Sequence, residues 1–224
     1  MKKGKIIVLE GSDCSGKETQ AKKLVARLRN DGKKVEYFSF PDYEVETGKI
    51  IGGPLLGIPS VGKSYFEDIN LLDPYVASLY YAADRRFHVE ALNHAVENND
   101  YVIVNRYTSS SMAHQGGKIE DKNLRKKFYQ NIEYLEYEIL KLPRPDQIFF
   151  LSVPLNISCD LLKQRGNLDK AEKDLEHLHK SLKTYNELAG IYHYCIINCA
   201  NENQLRDIED IHNEIYEKLL KKGS

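Results

Sequence analysis

Lys5-Ile6-Ile7-Val8-Leu9-Glu10-Gly11-Ser12-Asp13-Cys14-Ser15-Gly16-Lys17-Glu18-Thr19-Gln20 is the stretch whose reading decides the fold. Its first part is a continuous apolar run, the pattern of a strand buried on both faces of a parallel sheet. Beyond it, Ala21, Leu24, Val25 and Leu28 fall at helical spacing, and Gly32 is a helix stop. Between strand and helix lie Gly11 to Lys17. Backbone N–H groups can approach phosphate oxygens closely where glycine relaxes the chain. The following helix N-terminus adds positive potential, and Lys17 supplies a mobile charge for β- and γ-phosphates. An ordinary strand-to-helix turn that happens to contain Gly-Lys is the bland alternative. The strand–loop–helix context favours a phosphate loop built from Gly11, Ser12, Asp13, Cys14, Ser15, Gly16, Lys17, Glu18 and Thr19.

That loop departs from the common pattern at one point. Usually Gly-Lys is followed by Ser or Thr, whose hydroxyl reaches Mg²⁺; here Glu18 follows and the hydroxyl comes at Thr19. Neighbouring helical side chains point about 100° apart, so Thr19 cannot simply substitute. Either Glu18 contacts the metal, directly or through water, or ATP holds the metal. A solvated first-turn Glu favoured by the helix dipole is an equally good reading.

Outward from the loop, strand and helix signals alternate. Strands are expected at Val35–Phe40, Tyr101–Asn105, Gln147–Val153 and Tyr194–Cys199. Asp73-Pro74 marks a helix start running to about Asn98. Further helices are expected over Glu120–Leu142, Pro154–Arg165, Glu176–Tyr192 and Gln204–Lys221. Ile50 to Pro74 reads as a long Gly- and Pro-rich connection, which in a compact domain is often functional. The alternation predicts an α/β fold, a five-stranded parallel sheet with helices on both faces, as one domain over 1–224.

Composition narrows the partners. With 32 Lys and Arg against 33 Asp and Glu, interspersed, net charge is -1, and no basic run suggests a nucleic-acid surface. No apolar stretch approaches a membrane span. The four cysteines, at 14, 159, 195 and 199, show no Cys-x-x-Cys spacing and read as reduced thiols of a cytoplasmic protein. The seven histidines hold no His-x-x-x-His pair, so no zinc site is expected.

Taken together, the motifs resemble the thymidylate kinase family over most of the chain. Leu9 to Gln20 resembles its phosphate loop. Phe40-Pro41-Asp42-Tyr43, with Thr47-Gly48 and Ile50, resembles its segment after strand two. Leu79-Tyr80-Tyr81-Ala82-Ala83-Asp84-Arg85 is similar to its base-contacting helix. Asn105-Arg106-Tyr107 with Ser110 and Gln115-Gly116-Gly117 resembles its Asp-Arg-Tyr motif, and Leu142-Pro143-Arg144-Pro145-Asp146 precedes strand four as in the family.

The resemblance implies a three-layer α/β/α P-loop kinase fold with a small lid at about 165–174, and phosphoryl transfer from ATP to dTMP, with Mg²⁺. Lys17 would hold the transferring group. Asp13 would accept from the sugar 3′-hydroxyl. Tyr81 would stack on the base, Arg85 would donate to a base carbonyl, and Arg106 would clamp the acceptor phosphate. Phe40, Pro41, Tyr107, Ser110 and Gln115 would complete the pocket. Taken alone, Tyr81 would more often be core, and Arg85 and Arg106 solvated or salt-bridged. A branch of the family carries Arg where Cys14 stands; without it the transition-state cation falls to the lid, first to Arg165, with Lys170 and Lys173 in reserve. Asn105 stands where the family usually has Asp, and Glu18 would restore that charge near the metal. Other readings are a kinase for another pyrimidine nucleoside monophosphate or a deoxynucleoside, or a nucleotide-binding regulator with little turnover. The resemblance also implies a homodimer, with the helices from Asp73 and Glu120 as candidate interface elements.

Overall fold

A computed structural model describes residues 3–165, 174–201 and 204–221, with the Arg165 side chain outside that set. Five strands, β1 (Lys5–Gly11), β2 (Val35–Ser39), β3 (Tyr101–Asn105), β4 (Gln147–Ser152) and β5 (Cys195–Asn198), pair in parallel in the order β2-β3-β1-β4-β5. β1 sits at the centre because its side chains are buried on both faces, Ile6 to Leu9 being at most 2% exposed. On one face, Ile7, Leu9, Ile103 and Phe149 pack with Leu24 and Leu28 of α1 (Lys17–Asn30) and with Ile211 and Ile215 of α9 (Ile208–Lys221). On the other, Ile6, Val8, Val102 and Val104 meet Val89 and Leu92 of α4 (Val89–Asn98). The sheet is thus covered on both sides, as a parallel sheet must be.

The helix expected from Asp73 to Asn98 is two helices. α3 (Pro74–Phe87) starts as expected: the Asp73 carboxylate accepts from the amides of Tyr75 and Val76. The helix breaks at His88, whose ring is packed edge-on against Phe38, Phe40 and Phe87. Between β2 and α3, α2 (Glu46–Ile50) runs into a π turn over Ile51–Leu55. The connection beyond has its own small core of Ile51, Leu55, Leu56 and Ile69, against which Tyr80 and Tyr81 pack. Lys118 donates to the carbonyls of Ile69 and Leu72, tying this connection down.

A helix with no sequence signal of its own, α5 (Thr108–Gly116), follows β3 directly. α6 (Lys122–Glu133) continues through a π turn, Tyr134–Ile139, so the expected Glu120–Leu142 helix is recovered with its last part re-wound. α7 (Leu155–Arg165) and α8 (Leu175–Ile191) follow as expected, and a short hairpin of β6 (Ala200–Asn201) and β7 (Gln204–Leu205) replaces the start of the last helix. The expected lid at 165–174 lies outside the described residues except for its two ends.

Candidate active site

The carboxyl ends of three strands meet at one place, where ligands bind in open parallel sheets. Register pairs Leu9 of β1 with Asn105 of β3, and Ser39 of β2 with Asn105. The phosphate loop, Arg106 and Phe40-Pro41 therefore leave the sheet side by side.

The loop needs its glycines. A Cβ on Gly11 would lie 2.4 Å from Ser15 Oγ and 2.8 Å from the Leu151 carbonyl oxygen. Gly16 caps α1 at φ 78°, in the left-handed region that glycine enters freely. Lys17 folds back over the loop, donating to the Ser12 carbonyl at 2.9 Å, and its ammonium lies 4.0 Å from the Asp13 carboxylate. Burial, helped by the nearby Arg106 guanidinium, brings its pKa down to about 8, so the ammonium stays protonated at neutral pH.

Arg106 pairs directly with Asp13. Burial of Asp13 works against its charge, but Arg106, Lys17 and His114 outweigh it and hold the carboxyl well below the usual range. Burial likewise opposes the Arg106 charge, and Asp13 foremost overcomes it, raising the guanidinium pKa. The Arg106 backbone has φ 64°, a conformation non-glycine residues seldom adopt, and its amide is held by the Leu9 carbonyl.

Glu10 reads in the sequence as the end of an apolar run, yet it organises the floor of the site. It is completely buried. Its carboxylate accepts from the Tyr107 amide at 2.8 Å, Ser109 Oγ at 2.7 Å, Ser110 Oγ at 2.7 Å and the Tyr185 hydroxyl at 2.9 Å. Four donors satisfy a carboxylate that would otherwise be costly to bury.

Among the other expected residues, Phe40 is a core ring beside Tyr107. Pro41 follows it through a cis peptide and is half-buried. Tyr81 is half-buried over the small core of the 51–72 connection. Gln115 is buried with its Oε1 unpartnered among the described residues. Asn105 Nδ2 donates to Ser39 Oγ at 2.9 Å, and its buried Oδ1 is also unpartnered among them.

Four expectations meet a different geometry. Arg85 is 2% exposed and forms a two-pronged pair with Glu136, its Nε and one terminal nitrogen each 2.6 Å from a carboxylate oxygen. The same terminal nitrogen donates to Ser111 Oγ at 2.7 Å. The other terminal nitrogen lies 3.5 Å from the Tyr107 carbonyl. Tyr107 is a core ring, wholly buried, and its hydroxyl donates to the Pro143 carbonyl. Ser110 is committed to Glu10 and lies 3.2 Å from the Tyr185 hydroxyl. Glu18 is exposed and pairs with Lys22 at 2.6 Å. Arg165 as lid cation lies outside the described side chains.

Beyond the expected set, His114 and His177 join the site. His114 Nε2 is 3.4 Å from Arg106, and its Nδ1 is 3.2 Å from His177 Nε2. No sequence signal links two histidines 63 positions apart.

A strand-led phosphate loop with a buried lysine, facing an arginine at the end of the neighbouring strand, defines the site of a P-loop kinase fold. The thymidylate kinase family model matches residues 9–215. A thymidylate kinase of Plasmodium falciparum is 31% identical over 98% of this chain and 91% of its own length. One from Caldicellulosiruptor saccharolyticus is 30% identical over 98% and 99%. The solved thymidylate kinase of Candida albicans superposes with a TM-score of 0.74 at 22% identity, covering 99% of this chain and 93% of that one. The chain belongs to the thymidylate kinase family.

Proposed function

We propose that this protein transfers the γ-phosphoryl group of ATP to dTMP, giving dTDP and ADP. The observation that carries this reading is the pair of cations, buried Lys17 and half-buried Arg106, flanking Asp13 where β1 and β3 end. Two anionic substrates must meet in line, and each needs a cation in place before they do. Gly11 to Thr19 would receive the triphosphate, with Lys17 on the transferring group. Arg106 would take the acceptor phosphate, and Asp13 would accept from the sugar hydroxyl. Tyr81 offers a base a half-buried aromatic face, Gln115 Oε1 an unsatisfied acceptor, and Arg85 one terminal nitrogen. The acceptor oxygen attacks the γ-phosphorus directly, and no phosphoenzyme is required.

The site suits Mg²⁺. That ion takes oxygen ligands, keeps several waters and leans on substrate phosphates. The exposed Glu18 carboxylate, and Ser15 Oγ and Asn105 Oδ1, both buried and unpartnered among the described residues, are oxygens this chain can offer alongside the phosphates. When bound, the ion would neutralise charge on the phosphates. Arg165 would supply the lid cation. A cytoplasmic location fits four cysteines that form no disulfide among the described residues. A homodimer fits the apolar side chains left exposed on the two helices expected at an interface: Val76, Leu79 and Phe87 on α3, Leu124 on α6 and Ile139 in the π turn beyond it. Light scattering at several concentrations tests that assembly, a monomer throughout counting against it.

Radiolabelled ATP with dTMP tests the reaction. Label appearing in dTDP supports it. Label remaining in ATP, or released only as inorganic phosphate, would remove it.

A further inference from the structure

His114 and His177 carry a chemical constraint that the fold alone does not require. Arginine has only hydrogen-bond donors. The Arg106 terminal nitrogen beside His114 Nε2, at 3.4 Å, is therefore bonded only if Nε2 carries the lone pair. A neutral imidazole then has its proton on Nδ1, which faces His177 Nε2 at 3.2 Å. That nitrogen must accept, so the His177 proton lies on its own Nδ1. The two rings are near-parallel, with centroids 5.4 Å apart, and the Tyr185 ring stands edge-on to His114 at 5.8 Å.

We infer that His114 and His177 form a one-way donor chain, Arg106 to His114 to His177, that fixes the acceptor-phosphate arginine and ties it to the first turn of α8. Both are positioning residues for the transfer. The inference rests on the assignment of Arg106 to the acceptor phosphate made above.

Geometry supplies the reason such a chain is useful. Asp13 holds one terminal nitrogen of Arg106 and His114 the other. An arginine tethered at one point can still swing; tethered at both it keeps its remaining N–H groups aimed in one direction, which lowers the ordering cost when a phosphate arrives. His177 belongs to a firmly anchored turn. Its amide and that of Glu176 donate to the Asp174 carboxylate, which also accepts from Asn70 of the 51–72 connection at 2.7 Å. The chain thus links the acceptor clamp to the point where α8 begins.

The test has two readouts on the full-length protein. Long-range proton–nitrogen NMR of histidine-labelled protein near neutral pH, assigned with His114→Gln and His177→Gln, reports the tautomers without reference to activity. Both rings are expected with Nδ1 protonated and Nε2 bare. Nε2 protonated on either ring, or a charged imidazole, overturns the chain. In kinetics, His114→Leu is expected to raise the KM for dTMP about tenfold or more, the scale of a misplaced reacting partner, with the KM for ATP within about twofold. His114→Gln, whose amide oxygen can accept from Arg106, is expected to recover most of that loss. A Leu variant with the wild-type KM for dTMP, or a Gln variant as impaired as Leu, overturns the positioning role. Arg106→Ala is the control. If it leaves the KM for dTMP unchanged, the acceptor assignment falls and takes the positioning role with it, while the tautomer spectrum judges the hydrogen-bond chain by itself. Should the Leu variant not fold, the wild-type spectrum and the Gln variant decide.

Discussion

Replacing Glu136 with leucine isolates what the buried Arg85 charge depends on. Both side chains are almost wholly buried, at 2% and 0% exposure. Removing the carboxylate leaves a guanidinium with Ser111 Oγ and a long approach to the Tyr107 carbonyl. Breaking a buried pair by deleting one partner costs about 3–5 kcal/mol, far more than the pair itself contributes over an apolar replacement. For a domain of this size each kcal/mol moves Tm by about 2–4 °C, so a fall of roughly 6–20 °C is expected. The double variant Arg85→Met, Glu136→Leu removes the orphaned charge and is expected to recover at least about half of that loss. It falls short of full recovery because Thr108 and Ser111, whose hydroxyls bond the pair, lose their partners. Urea titration of the wild type, the two single variants and the double variant gives the coupling directly. A Glu136→Leu cost below about 1 kcal/mol, or a double variant no better than the single, would refute the view that Arg85 is held as a core ion pair.

Three further expectations concern the site. Lys17→Ala should lower kcat at least about 100-fold, the scale of removing one preorganised charge from the transferring group; an unchanged kcat removes Lys17 from that role. On the proposed role of Glu18 at the metal, Glu18→Gln should cut turnover while leaving ATP affinity, read by titration calorimetry, within about threefold; wild-type turnover rules out the compensation for Asn105. In acid, His114 contributes a definite sign. Burial foremost, with His177, Arg106 and Lys17 adding to it against Asp13, lowers its folded pKa from 6.5 to about 3. The unfolded chain therefore binds the extra proton first, and stability present above about pH 6.5 is lost as pH falls toward 3. Tm measured from pH 7 to 4 should fall less steeply in His114→Gln, and parallel curves would contradict the assignment.

Regular structure is legible where burial and periodicity agree. β3 spans Tyr101–Asn105 in the sequence pattern and in the fold alike, because a short apolar run bounded by polar residues admits one interpretation. α3 announces its start through Asp73 and Pro74, but its end carries no such mark. The break at His88 is set by the ring's contacts with Phe38 and Phe40, which arrive from β2 and the segment after it. α5 is hidden because Thr108-Ser109-Ser110-Ser111 carries no apolar side chain to mark a helical stripe. Those hydroxyls turn inward because Glu10, Glu136 and Arg85 meet them from other elements, burying Thr108, Ser109 and Ser111. The phosphate loop is contiguous, so its residues can be read from order and spacing. The Glu10 network and the His114–His177 contact are assembled across the fold, and local pattern carries no trace of them.

The most direct test is ADP release by the wild-type protein with MgATP and, in turn, dTMP, dUMP, dCMP and AMP in a coupled assay. Release that requires an acceptor and is fastest at low concentrations of dTMP is the expected result. Release at the same rate with no acceptor, or a preference for AMP, would contradict the assignment of Lys17 and Arg106 to two nucleotides meeting in line.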